Sequence, residues 1–139
     1  MVAEARTWLG TPWRHQQQRK GLGADCGQMV LGVLAAVGYC RVAYEGYARI
    51  PDGRQLRALC DRQLARVDAP QPGDVVLLRL KELPVHLGIL GDAGRGPDGL
   101  SLIHSYASAR KCIEHDFDAG WRDAVVQFYR MRHLILVEV

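Results

Sequence analysis

From Cys26 to Val37 the chain reads CGQMVLGVLAAV, apolar on nearly every side, with Met29, Val30, Val33, Leu34 and Val37 tracing a stripe at helical spacing. A helix of this kind has no solvent face to offer, so other elements must cover it and the fold is built around it. Gly38 is placed to end it, and the glycine-rich GLGA of residues 21–24 leads into it. The stretch GLGADCGQMVLGVLAAVGY therefore predicts a central buried helix whose first residue is a cysteine.

The other elements follow from spacing. Val2, Ala5, Trp8 and Leu9 predict an amphipathic helix over 2–9, stopped by Gly10 and Pro12. RHQQQRKGLGA, residues 14–24, has no apolar periodicity and reads as a surface loop of the kind that lines clefts. Leu56, Leu59, Cys60, Leu64 and Val67 predict a second amphipathic helix over 53–67. At Pro70 the texture changes: PQPGD is turn chemistry, and strands are expected at 74–80, 85–90, 101–106, 111–115 and 125–138, the last broken near 130–133. Helices first and strands afterwards predict an α+β fold with a mainly antiparallel sheet.

A length of 139 residues, 48% of them hydrophobic, fits one domain over 1–139 with a core that needs no staples. Cys26, Cys40, Cys60 and Cys112 form neither a CxxC pair nor a dense secreted pattern, so free thiols are expected, with Cys40, Cys60 and Cys112 as small core residues. A net charge of +3 is too small and scattered to argue for nucleic acid. No segment approaches the roughly 18 consecutive apolar residues of a membrane span, so no membrane insertion is expected. MVAEARTWLG lacks a basic region followed by an apolar one, so synthesis in the cytoplasm without a Sec-type signal is the expectation.

Cys26 can be read in two ways. In the first turn of a buried helix the positive end of the macrodipole and the unpaired N–H groups favour thiolate over thiol, which suits a nucleophile; a cysteine there can equally be plain packing. VHLGIL and SLIHSY flank the turn-rich GDAGRGPDG, and a hairpin centred on Arg95 puts His86 opposite His104, about 5 Å apart at Cβ. One histidine could take the Cys26 proton and the other orient it, the logic of covalent catalysis. The same three residues, with Asp25 as a fourth ligand, could instead bind zinc. Glu114, His115 and Asp116 alternate faces on a strand and are read as solvated. His133 is taken as structural or surface, and Asp74 as the residue that closes the PGD turn.

ADCGQMVLGVLAAVGY, QPGDVVLL, VHLGIL and LIHSY, in that order across residues 10–133, resemble the NlpC/P60 family of papain-like cysteine peptidases. The resemblance implies a papain-like fold with N-terminal helices, the nucleophile at a helix N-terminus, and a mainly antiparallel sheet of five to six strands. It implies Cys26 as nucleophile, His86 as general base and acid, and His104 as the residue orienting His86, with neither metal nor cofactor. The substrate it implies is the stem peptide of bacterial peptidoglycan, cut at the γ-D-glutamyl to diamino-acid bond.

Two positions depart from the family pattern. Trp13 stands where a tyrosine that helps hold the oxyanion is common, and His15 is the nearby substitute; Gly27 stands where a serine follows the cysteine. Asp25 is expected either to bind the substrate amine or to cap the helix. GTPWRHQQQRKGLGADC is most similar to the branch carried by phage tails and gene transfer particles. That implies tail hub or baseplate proteins as partners, assembly in the cytoplasm and action in the periplasm of a target cell. A tail adaptor that keeps the fold and loses activity is the alternative.

Overall fold

The computed structural model describes residues 1–48, 53–81 and 83–132. The apolar run forms α2, Cys26–Ala36, in which every residue from Gly27 to Leu34 is buried. Asp25 caps its start by accepting the Gln28 N–H, and Gly38, at φ +80°, follows its end. Met29, Val33 and Leu34 are almost wholly withdrawn from water. Each contributes about 1.5–3 kcal/mol, so α2 anchors what packs on it.

α1, Val2–Arg6, is shorter than the predicted 2–9. Thr7 to Gly10 form turns, and Gly10, at φ +83°, donates its N–H to the Cys112 carbonyl at 2.9 Å. This swings the Trp8 indole onto Gly32 of α2. Residues 14–24 are more than a loop: β1 (Gln18–Arg19) and β2 (Gly23–Ala24) pair antiparallel inside them.

The predicted helix 53–67 divides into two elements. α3 is Arg54–Gln63, Leu64 turns extended, and Ala65–Val67 become β3, paired with β8 (Val125–Arg130). Leu64 and Val67 continue the helical spacing, but the backbone partners offered by β8 decide the outcome. The strands expected between 74 and 115 form as β4 (Val75–Leu80), β5 (Leu83–Gly91), β6 (Ser101–Tyr106) and β7 (Lys111–Asp116). β8 realises the start of the run expected over 125–138; residues 133–139, His133 among them, lie outside the described residues. One further short helix, α4 (Ala119–Asp123), has too few residues for any periodicity to show and is capped by Asp118.

Six strands make one antiparallel sheet in the order β3-β8-β4-β5-β6-β7. Leu77, Leu87, Ile89 and Ile103 face α2 and share its core. Val76, Leu78, Leu90 and Leu102 point to the opposite face and pack with Phe117 and Trp121. Asp74 closes the PGD turn by accepting the Gln71 N–H at 2.9 Å. It also takes the Arg130 guanidinium on both oxygens, at 2.8 and 2.9 Å, tying the start of β4 to the end of β8. Cys60 and Cys112 are buried, Cys40 is half-buried, and all four cysteines are free.

The β5–β6 register corrects the hairpin centred on Arg95. Ile89 faces Ile103, Leu90 faces Leu102 and Gly91 faces Ser101, which centres the hairpin on Gly96. The turn sets this: Gly94 donates to the Gly99 carbonyl at 2.9 Å and Gly99 to the Gly96 carbonyl at 3.0 Å. His86 and His104 are therefore diagonal neighbours rather than directly opposed. The offset moves His104 by two residues, an even number, so both histidines still share a face.

Two glycines of α2 differ in the space around them. A Cβ on Gly32 would stand 2.5 Å from the Trp8 ring, whereas one on Gly27 would meet Leu56 and Tyr44 at 3.5 Å, ordinary contact. Gly32→Ala is therefore expected to lower stability by about 1–3 kcal/mol through overpacking, and Gly27→Ala to raise it by about 0.5–1 kcal/mol. Urea midpoints of the two variants check this; a Gly32→Ala protein as stable as the parent would contradict the α1–α2 contact.

Candidate active site

The start of α2 is held by one carboxylate. Asp25 Oδ1 accepts the Gln28 N–H at 2.9 Å, while Oδ2 accepts the Gln16 N–H at 2.8 Å and the Tyr47 hydroxyl. Three segments, before, at and after the helix start, meet on this side chain, which is 4% exposed. Of its two expected roles the geometry supplies the cap. Gln28 adds to the same knot: its Nε2 donates to the Tyr44 carbonyl and reaches the Tyr47 hydroxyl at 3.3 Å.

Cys26 projects from this start toward β5. Its thiol donates to the Val85 carbonyl at 3.7 Å, and the Leu87 N–H points at the sulfur. Sγ thus touches the backbone on either side of His86. The pairing of β5 with β6 covers residues 89–91 with 101–103, and the thiol meets β5 beyond that stretch, at Val85 and Leu87. Burial, and after it the Asp25 charge, pushes the Cys26 thiol up to about 12, against the opposing N–H groups of Leu87, Gly27 and Cys26. The thiolate expected from a helix start is overruled by desolvation, and the resting group is a neutral thiol.

On the other face of β5, His86 Nε2 lies 2.5 Å from His104 Nδ1. The structure brings the two predicted histidines together through the diagonal register. It also adds one that sequence reasoning placed in solvent: His104 Nε2 lies 2.7 Å from His115 Nε2, and His115 Nδ1 lies 2.8 Å from the Asp116 carbonyl. The alternation expected for 114–116 holds, since Glu114 turns away to Arg6 and Ser101. What it concealed is that His115 shares a face with His104. The ASAR turn of residues 107–110, which pairs Tyr106 with Lys111 and Leu102 with His115, carried that signal in the sequence.

Aromatic rings enclose the three imidazoles. Trp121 of α4 lies 6.0, 5.0 and 5.5 Å from the centroids of His86, His104 and His115, and Tyr106 stacks on His104 at 5.2 Å. Gly88 makes the room, since a Cβ there would stand 2.6 Å from Leu102 and 3.3 Å from the His104 Cβ. Burial lowers His86 to about 3, helped by His115, and His104 to about 2, helped by His86 and His115. Both rings are neutral. Their nitrogen separations are hydrogen-bond lengths, shorter than two ligands on one tetrahedral zinc could be at about 2.0–2.1 Å each. Among the described residues no group of three or more His, Cys, Asp or Glu side chains is placed to hold a metal ion, so the zinc alternative finds no support in the geometry.

A narrow cleft of about 50 Å³ opens over Cys26, lined by Trp13, His15, Gly27, Tyr44, Tyr47 and Val85 among others. It holds little more than a carbonyl group or a water or two. Trp13 stacks on His15 at 6.5 Å, and His15 Nε2 lies 3.1 Å from the Tyr47 carbonyl. Tyr44 and Tyr47, which no sequence signal marked, stack on each other at 4.3 Å and form the far wall. Gly27 lies under Tyr44 with space for a small side chain.

Several solved structures share this architecture. An NLP/P60 family protein similar to lipoprotein, from Staphylococcus aureus subsp. aureus Mu50, matches with a TM-score of 0.62 at 15% identity, over 93% of this chain and 39% of its own. An NlpC/P60 family protein from Bacillus cereus ATCC 10987 matches at 0.64 and 21%, over 91% and 37%. The NlpC/p60 domain of the peptidoglycan hydrolase SagA matches at 0.62 and 19%, over 94% and 95%. This chain therefore spans well under half of the first two proteins and nearly all of the SagA domain. The chain has the NlpC/P60 fold. No family model matches its sequence, and no curated protein does.

A neutral resting thiol has a direct readout. Iodoacetamide is expected to alkylate Cys26 at pH 6 no faster than it alkylates free cysteine, with the rate rising through the alkaline range as the raised thiol ionises. Peptide mass spectrometry checks this, and preferential labelling at pH 6 would contradict it.

Proposed function

We propose that the chain is a cysteine peptidase that hydrolyses stem peptides of bacterial peptidoglycan, at the γ-D-glutamyl to diamino-acid bond. The observation that carries this reading is the His86–His104 pair, 2.5 Å apart, on the strand whose backbone the Cys26 thiol touches. The NlpC/P60 fold supports it, as does the match over nearly the whole domain of a peptidoglycan hydrolase.

In this reading a substrate carbonyl enters the cleft and displaces the thiol from Val85. As sulfur bonds to the carbonyl carbon, its proton passes to His86 Nδ1, the nitrogen that His104 leaves open, through water at the edge of β5, since the ring lies across the strand from the sulfur. The oxyanion is held by the N–H groups of Cys26 and Gly27, which already point at the sulfur. Collapse expels the amine, which takes the proton from His86. Water, with His86 as base, then cleaves the thioester and restores the thiol. His104 orients His86, and the walls of Trp13, His15, Tyr44 and Tyr47 grip the peptide.

Delivery in a phage-like tail, with hub or baseplate proteins as partners and the periplasm of the target cell as the place of action, completes the proposal; the likeness of GTPWRHQQQRKGLGADC to that branch supports it. A second reading, a tail adaptor without activity, is favoured by one observation: the thiol rests neutral and bonded to a carbonyl.

Digestion of purified murein separates the two readings. Cys26→Ala is expected to abolish release of stem-peptide fragments with an unchanged melting temperature. His86→Ala is expected to reduce the rate by about 10²–10⁴, as for loss of a general base, and His104→Ala by less. Undiminished release by Cys26→Ala, or none by the parent, would overturn the peptidase assignment.

A further inference from the structure

We propose that His115 is a positioning residue that sets, through His104, the tautomer of His86, so that the nitrogen left free on His86, Nδ1, is unprotonated. The proton order starts at a group that has no choice. A backbone carbonyl only accepts, so the contact of His115 Nδ1 with the Asp116 carbonyl at 2.8 Å puts a proton on Nδ1, and a ring that carries one proton carries it there. The Nε2 of His115 is then a lone pair. It lies 2.7 Å from His104 Nε2, which must be the N–H of that pair, so His104 carries its proton on Nε2 and a lone pair on Nδ1. That lone pair lies 2.5 Å from His86 Nε2, which in turn must be the donor. The remaining nitrogen of His86, Nδ1, is left as an acceptor.

One carbonyl thus propagates a single orientation through three rings. The opposite order would aim the Nδ1 lone pair of His115 at the carbonyl oxygen. Burial lowers His86 and His104 and so favours their neutral rings. Trp121, packed across all three imidazoles, restricts the ring rotations that would break the order. The consequence for rate rests on Cys26 and His86 acting as proposed above; the tautomer order does not.

The test separates the two. In protein labelled with ¹⁵N-histidine, two-bond ¹H–¹⁵N correlation at pH 8.5, well above the ordinary imidazole range of about 6.5, is expected to show His86 and His104 protonated on Nε2 and His115 on Nδ1. His115→Leu removes the acceptor for His104 and is expected to turn His86 and His104 into tautomer mixtures. With it, kcat for stem-peptide cleavage should fall by about tenfold, part of what a positioned general base contributes, at unchanged KM. His115→Gln, whose amide oxygen can accept from His104, is expected to restore most of both. A parent protein with His86 protonated on Nδ1, or His115→Leu with the parental tautomers, overturns the proposal even if the protein hydrolyses murein. The expected tautomers in a protein that cleaves nothing would uphold the order and overturn the peptidase reading alone.

Discussion

The Asp25 carboxylate holds the site together. It caps α2 through the Gln28 N–H, fixes the segment before the helix through the Gln16 N–H, and fixes the segment after it through the Tyr47 hydroxyl. Trp13, His15, Tyr44 and Tyr47 reach the cleft on segments that this side chain gathers. Hydrogen bonds to a charged acceptor are worth about 1.5–3 kcal/mol each, and here they set where the sulfur stands. A residue that could have been read as a substrate contact serves as the joint of the cleft.

Two opposing effects act on the sulfur, and their sizes decide its state. A helix N-terminus offers about 0.3–1 kcal/mol, less than one pKa unit at 1.36 kcal/mol each. Withdrawal from water can shift a group by up to about 3–5 pKa units, and Cys26, though it lines the cleft, is largely withdrawn. Desolvation therefore wins at Cys26, as it does at His86 and His104. The resting site is a thiol bonded to a carbonyl, with His86 and His104 neutral on the same strand pair.

Much of this was legible in the sequence because it rests on local patterns. The all-round apolar run made α2, the PGD turn began the sheet, and alternation placed His86 and His104 on a common face. What failed was decided by tertiary partners. β8 drew residues 65–67 out of a helical spacing, and the Gly94–Gly99 contact shifted the β5–β6 register by one residue at its centre. Within the site, Cys26, His86 and His104 were visible as residue types at telling positions. Tyr44, Tyr47 and Trp121 were not, because they arrive from segments without periodicity. Alternation along β7 by itself does not show that His115 shares a face with His104; the pairing of β7 with β6 does.

The central claim is that Cys26 forms a covalent acyl intermediate with a cell-wall peptide. Intact-mass spectrometry of the protein mixed with a purified muropeptide and quenched in acid within the first turnover tests it most directly. The account predicts a mass increase equal to the acyl half of the cleaved peptide, located on the Cys26 peptide and discharged by hydroxylamine. Release of cleaved peptide with no such adduct, or with the adduct on another residue, would contradict it.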